Sequence, residues 1–125
     1  MSSPLLVKLE RMVAALTAKN WEEAKTYYAP DMLYRVGSGE PVYGSQAAVD
    51  FLDSFYQTAT PADHELRGAW QIDDRTAIVE MDAKYIRNRD GKKISVACCD
   101  VYRFDDAGLI VEWRVYPDVS PVFQE

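Results

Sequence analysis

The sequence predicts an α+β fold: three N-terminal helices packed on a curved, antiparallel β-sheet. Three observations carry this. Apolar residues recur at helical spacing in the first half of the chain. From residue 64 the pattern becomes strand alternation. Turn signals, Asp73-Asp74, "NRDG" and "DDAG", separate the strand-like runs and mark hairpins. Helices followed by hairpin-linked strands build a sheet with the helices on one face.

The elements follow in order. "SSPLLVKLERMVAALTAKNW" opens with Ser3 as N-cap and Pro4 at the first helical position. Leu5, Leu9, Met12, Val13 and Leu16 form its apolar stripe, and Asn20 ends it. "NWEEAKTYYAPD" is a second, shorter helix stopped by Pro30. "MLYRV" is a short strand and "GSGEPVYG" a loop. "SQAAVDFLDSFYQTA" is the third helix, capped by Ser45, with Val49, Leu52, Phe55 and Tyr56 on its apolar face. Four strands follow: "HELRGAWQI", "TAIVEMDAKYIR", "KISVACCDVYRF" and "LIVEWRVYPD". The tail "VYPDVSPVF" is read as closing a pocket mouth or reaching a partner.

With 125 residues, the expectation is one domain over residues 1–125, large enough for a sizeable core. A net charge of −6, with no Lys/Arg cluster, argues against a nucleic-acid partner. No apolar run reaches the length of a membrane span. The first residues lack a charged-then-apolar leader layout, so the expected location is cytoplasmic. Cys98 and Cys99 are adjacent and read as reduced, small core residues. Neither a ligand-spaced His/Cys set nor a Gly-rich phosphate loop is present, so no metal or cofactor is expected.

Asp100 stands out, because it sits in the apolar run "VACCDVY" and a buried carboxylate needs a partner or a proton. It either occupies a pocket, pairs with Arg114 or Arg67, or caps a backbone group. In "AIVEMDAKYI", Glu80, Asp82 and Lys84 share one face, and Val79, Met81, Ala83 and Tyr85 the other. Alternation alone makes the charged face the solvated one.

"MVAALTAKNWEEAKTYYAPDMLYRV", "PVYGSQAAVDFLDSFY" and "GKKISVACCDVYRFDDAGLIVEWRVYPD" resemble the opening helices, third helix and final hairpin of the NTF2-like superfamily. That superfamily includes ketosteroid isomerases, SnoaL-like polyketide cyclases and limonene-epoxide hydrolases. The resemblance implies a cone-shaped apolar pocket with catalytic side chains on the strands, and commonly a homodimer through the back of the sheet. Asp100 matches the isomerases' oxyanion-hole acid, a carboxylic acid kept neutral by its apolar site so that it can donate a hydrogen bond. The isomerase tyrosine falls on Met12, and its base near Val36. Asp82 and Tyr34 match the epoxide-hydrolase aspartate and tyrosine. That pattern's arginine, second aspartate and asparagine fall on Glu80, Val115 and Val36.

The resemblance also turns the Glu80–Asp82 face into the pocket wall. It then implies Asp100 as acid or hydrogen-bond donor, Asp82 or Glu80 as base, and Tyr34 orienting substrate or water. Met12, Leu16, Val36, Phe55, His64, Cys98, Tyr102, Trp113 and Val115 would contact the substrate. The expected function is acid–base chemistry of isomerase, cyclase or dehydratase type on an apolar, oxygen-bearing, polyketide- or terpenoid-like molecule. The alternatives are epoxide hydrolysis or a non-catalytic binding or adaptor module.

Overall fold

A computed structural model describes residues 3–125 of the chain. Helix α1 spans Pro4–Thr17. Ser3 Oγ accepts the Leu6 N–H at 3.2 Å, and Pro4 occupies a position where an amide donor is not needed. Helix α2 is a single turn, Trp21–Lys25, capped by Asn20. Strand β1 begins directly after it and runs Tyr28–Val36, so Pro30 lies inside a strand rather than ending a helix. Its pairing shifts register between Tyr28 and Leu33, and such an irregularity tolerates a residue with no amide donor.

Two residues of the expected loop, Val42–Tyr43, pair with β1 as strand β2. Helix α3 spans Ser45–Tyr56. Its N-cap is Gly44 instead of Ser45, with φ 99°, a conformation that favours glycine. The Gly44 N–H bonds the Met32 carbonyl at 2.8 Å, which ties the helix start to β1. Strands β3 (Ala59–Pro61), β4 (Glu65–Asp73), β5 (Thr76–Arg87), β6 (Lys93–Phe104) and β7 (Ile110–Pro117) follow, and helix α4, Ser120–Phe123, lies in the tail. The described residues thus form four helices, two of them short, rather than three; the third and fourth come after strands have begun.

The sheet order is β2-β1-β7-β6-β5-β3, with β4 also paired to β5. It is antiparallel except where β1 lies parallel to β7, because the chain leaves β1 and returns to its side only after five intervening strands. The sheet curls over the helices, an α+β cone.

Which face looks inward is settled by alternation. On β5 the odd-numbered residues Val79, Met81, Ala83 and Tyr85 are buried. On β6 the even-numbered Val96, Cys98, Asp100 and Tyr102 are buried. Cross-strand register pairs Val79 with Asp100 and Met81 with Cys98, so these share the concave face. The α1 and α3 stripes, including Leu9, Leu16, Val49 and Leu52, pack in the same core.

This corrects the expectation that Glu80, Asp82 and Lys84 form the pocket wall. They lie on the outer face, and the apolar stripe expected at the back faces the helices. Side-chain period two allows one stripe inward, and burying three charges in place of four apolar groups would be costly. Asp82 is held outside by Arg67, whose Nε donates to Oδ2 at 2.7 Å.

The tail is anchored by Arg87, which is 2% exposed. Its guanidinium donates to Asp90 Oδ1 at 3.0 Å and to the Pro121 carbonyl at 2.9 Å, and also to Gln124 O. Replacing Arg87 by Met removes every one of these bonds. The amides of Val122 and Gln124, which close the α4 turn, should then exchange with solvent roughly tenfold faster by hydrogen-exchange mass spectrometry. Unchanged protection would mean that the apolar contact of Val122 holds the tail.

Candidate active site

Asp100 enters the concave face between apolar walls. Its cross-strand neighbours are Val79 on β5 and Val115 on β7, and it is 4% exposed. Among the described residues no cation pairs with it. Arg67 is taken by Asp82 and Glu65, and Arg114 by Glu112.

Two ring donors hold one oxygen. The Tyr102 hydroxyl and the Trp113 indole N–H each donate to Oδ2 at 3.1 Å. Tyr102 reaches it from two residues along the same strand; Trp113 lies opposite Tyr102 on β7. The two rings stack, with centroids 5.4 Å apart, and Tyr34 packs against Trp113 at 4.7 Å. The other oxygen, Oδ1, meets no hydrogen-bond partner among the described residues.

Desolvation pushes the Asp100 carboxyl up from 3.8 to about 6, against the donors Trp113 and Tyr102 and the neighbouring Cys98 thiol, which favour the charged form. Desolvation also raises the Tyr34 and Tyr102 hydroxyls, with the Asp100 charge adding to it, so both stay protonated.

The space beside Asp100 is about 70 Å³, roughly the share of two liquid waters. Larger cavities adjoin it. Between α1 and β4 lies a cleft of about 410 Å³ that shares Val13, His64 and Met81 with the Asp100 space. A third cavity of about 220 Å³, under α3 and the tail, shares Tyr34, Leu52, Ala83, Tyr85, Cys98 and Val115 with it. Strand β5 gives their order: Val79 lines the first, Met81 the first and second, Ala83 and Tyr85 the second and third.

His64 stands where the cleft meets the Asp100 space. Its Nδ1 accepts the Lys84 N–H at 3.0 Å. Burial pushes its pKa down, against the backbone of Ala62 and the charge of Asp63. A neutral imidazole with Nδ1 accepting carries its proton on Nε2, so His64 is a donor rather than a base.

Most residues expected at the site come together on the concave face. Asp100, Tyr34, Leu16, His64, Cys98, Tyr102, Trp113 and Val115 line the central space, and Val36 and Phe55 the third cavity. Glu80 and Asp82 are outside, as described. Met12 lines none of the three cavities; it is fully covered in the core. Sequence reasoning missed Tyr85, Ala83 and Met81, although β5 alternation alone would have found them. It also gave Tyr102 and Trp113 substrate contact alone, whereas a buried phenol or indole donor ordinarily needs an acceptor. Among the described residues, no group of three or more His, Cys, Asp or Glu could hold a metal ion, and no helix is long and apolar enough to cross a membrane.

The SnoaL-like domain family model matches residues 9–113, so the chain belongs to that family. No curated protein matches it by sequence. Among solved structures it is similar to a protein from Shewanella putrefaciens named after the SnoaL-like polyketide cyclases: 13% identity, TM-score 0.83, covering 98% of this chain and 96% of that one. A Catenulispora acidiphila protein with a ketosteroid isomerase-like fold, solved with trimethylamine, gives 14% identity and TM-score 0.81, over 98% and 91% of the two chains. An M. tuberculosis LEH-like epoxide hydrolase gives 18% identity and TM-score 0.77, over 95% and 86%. These likenesses concern the fold, and the chemistry has to be argued from the site.

The raised carboxyl pKa makes a stability prediction. The native state holds the Asp100 proton to higher pH than the unfolded chain, so stability falls as pH rises through the interval from 3.8 to about 6. At about 1.36 kcal/mol per pH unit the full loss is about 3 kcal/mol. Asp100→Asn cannot ionise but keeps an oxygen for both ring donors. The stability of the wild type relative to Asp100→Asn, from urea unfolding, should therefore drop by about 3 kcal/mol between about pH 3.5 and about pH 7.5. A pH-independent difference would mean that the carboxyl is not desolvated.

Proposed function

We propose that this member of the SnoaL-like family is an enzyme of isomerase or cyclase type, moving a proton on an apolar, oxygen-bearing small molecule. Asp100 is the group that carries the proton. The observation behind this is the asymmetry of its carboxyl: Oδ2 is held by Tyr102 and Trp113, and Oδ1 is unpartnered beside a small cavity. The two donors orient the group and stabilise its charge. The free oxygen is left for a substrate C–H.

A pKa of about 6 suits a general base near neutral pH. Oδ1 takes a proton from a carbon next to a carbonyl, leaving the electron pair as an enolate. Where a carbon–carbon double bond adjoins that carbon, the pair spreads over a dienolate. The same oxygen then returns the proton to the far end of the dienolate as the double bond shifts into conjugation, which completes an isomerisation. In a cyclase the enolate carbon instead attacks an electrophilic carbon of the same molecule, and the proton ends on the oxygen formed there. His64 Nε2–H and the buried Tyr34 hydroxyl, both in the lining of the same space, are the candidates to polarise the substrate oxygen.

One carboxyl suffices for either reaction. Epoxide hydrolysis needs an acid and a separate base for water, and with Glu80 and Asp82 outside, the concave face supports that reading less. A purely ligand-binding role is the second reading, favoured by the narrowness of the space at Asp100.

Proton abstraction can be tested without knowing the substrate. In D2O, simple ketones that fit the cavities should gain deuterium next to the carbonyl at least about a hundredfold faster than with no protein. The rate should rise with pH through about 6, as the base form appears, and then level off. Asp100→Asn should lower it to background and Asp82→Asn should not. Exchange at background in the wild type, or retained by Asp100→Asn, would leave the binding role.

A further inference from the structure

We propose that the natural ligand is an elongated apolar chain with its oxygen function away from both ends, threaded past Asp100 with one arm in each flanking cavity. This rests on the reading that the Asp100 space receives the substrate, and adds the substrate's shape and class. A single-mouthed cone would take a compact molecule with the reactive end innermost. Here the smallest of the three spaces lies in the middle. A space of about 70 Å³ at Asp100 lies between cavities of about 410 and 220 Å³.

Chemistry along this path changes with position. The third cavity has no charged side chain in its lining; Phe51, Phe55, Val96 and Val119 make it suited to hydrocarbon. The first cleft is lined by Leu6, Leu9 and Val13 on α1, with one charged group, the exposed Glu10, at its edge. A carboxylate at the end of an arm would meet Glu10 on a chain of net charge −6, so neutral chains are preferred over acyl anions. The unpartnered Asp100 Oδ1 and His64 both belong to the central stretch. The polar part of the ligand therefore belongs in its middle.

The small volume of the middle restricts the ligand further. Ring systems do not fit in the space of about two waters, whereas a flat carbonyl flanked by methylenes does. The outer wall of the third cavity includes Val119 and Phe123 of the tail that Arg87 anchors. That wall can be altered from the surface, since Val119 is 38% exposed.

Two isomeric ketones of equal size test the proposal: nonan-5-one, with the carbonyl central, and nonan-2-one, with it near one end. Binding is measured by isothermal titration calorimetry at about pH 5, where the carboxyl carries its proton and donates to the carbonyl. Nonan-5-one should bind roughly tenfold more tightly, the equivalent of about two methylenes moved from water to an apolar wall. Val119→Trp, filling the third cavity from outside, should remove that preference. Equal affinity for the isomers, tighter binding of nonan-2-one, or no saturable binding of either overturns the proposal. So does a preference that survives Val119→Trp. The readout is binding, so it separates from the catalytic reading: a preference for nonan-5-one without deuterium exchange would keep the two-armed site and reject proton transfer.

Discussion

A carboxyl group is kept in the interior of this sheet by two hydrogen bonds to a single oxygen. Without the Tyr102 hydroxyl and the Trp113 indole, Asp100 would be an unpaired buried acid, and desolvation alone would govern it. With them, the charged form becomes accessible near neutral pH. The same bonds fix the rings. Tyr102 stacks on Trp113 and Trp113 packs against Tyr34, so one polar group organises the aromatic wall of the cone. The rings in turn narrow the space in front of Oδ1 and exclude bulk water from it.

The sheet supplies the rest of the geometry. Strand register places Val79 and Val115 on either side of Asp100 and so sets its apolar environment. Because β1 inserts parallel to β7, Tyr34 arrives beside Trp113 and Val36 beside Val115. Helices α1 and α3 cover opposite ends of the β5 stripe, and the cavities remain between them and the sheet. The Lys84 backbone, by occupying His64 Nδ1, keeps that imidazole a donor. His64 is thereby kept in one proton state, while Asp100 is the group that changes state near neutral pH.

Much of this is legible in the sequence. Pro4 and the Ser3 cap mark α1, and alternation marks β5 and β6 as strands. The run "VACCDVY" singles out Asp100 as a buried acid. What the sequence does not reveal depends on partners far away along the chain. Strand β2 has two residues and β3 three, too short for periodicity to register, and both exist only through pairing with β1 and β5. The inward face of β5 is legible from alternation, and expecting Glu80 and Asp82 inside lets a family resemblance outweigh it. Trp113 as a donor to Asp100 needs the β6–β7 register, which no local pattern states.

The central claim, a desolvated carboxyl held by two ring donors, is tested most directly by a carbon-13 NMR titration of the Asp100 side chain, assigned by comparison with Asp100→Asn. The midpoint should lie near 6, with the Trp113 indole N–H signal shifting over the same pH range, because that proton is bonded to Oδ2. A midpoint near the ordinary value of about 4, or an indole signal indifferent to the titration, would contradict it. Asp100 would then be solvated or held by other partners, and the concave face would lack a group able to take a proton near neutral pH.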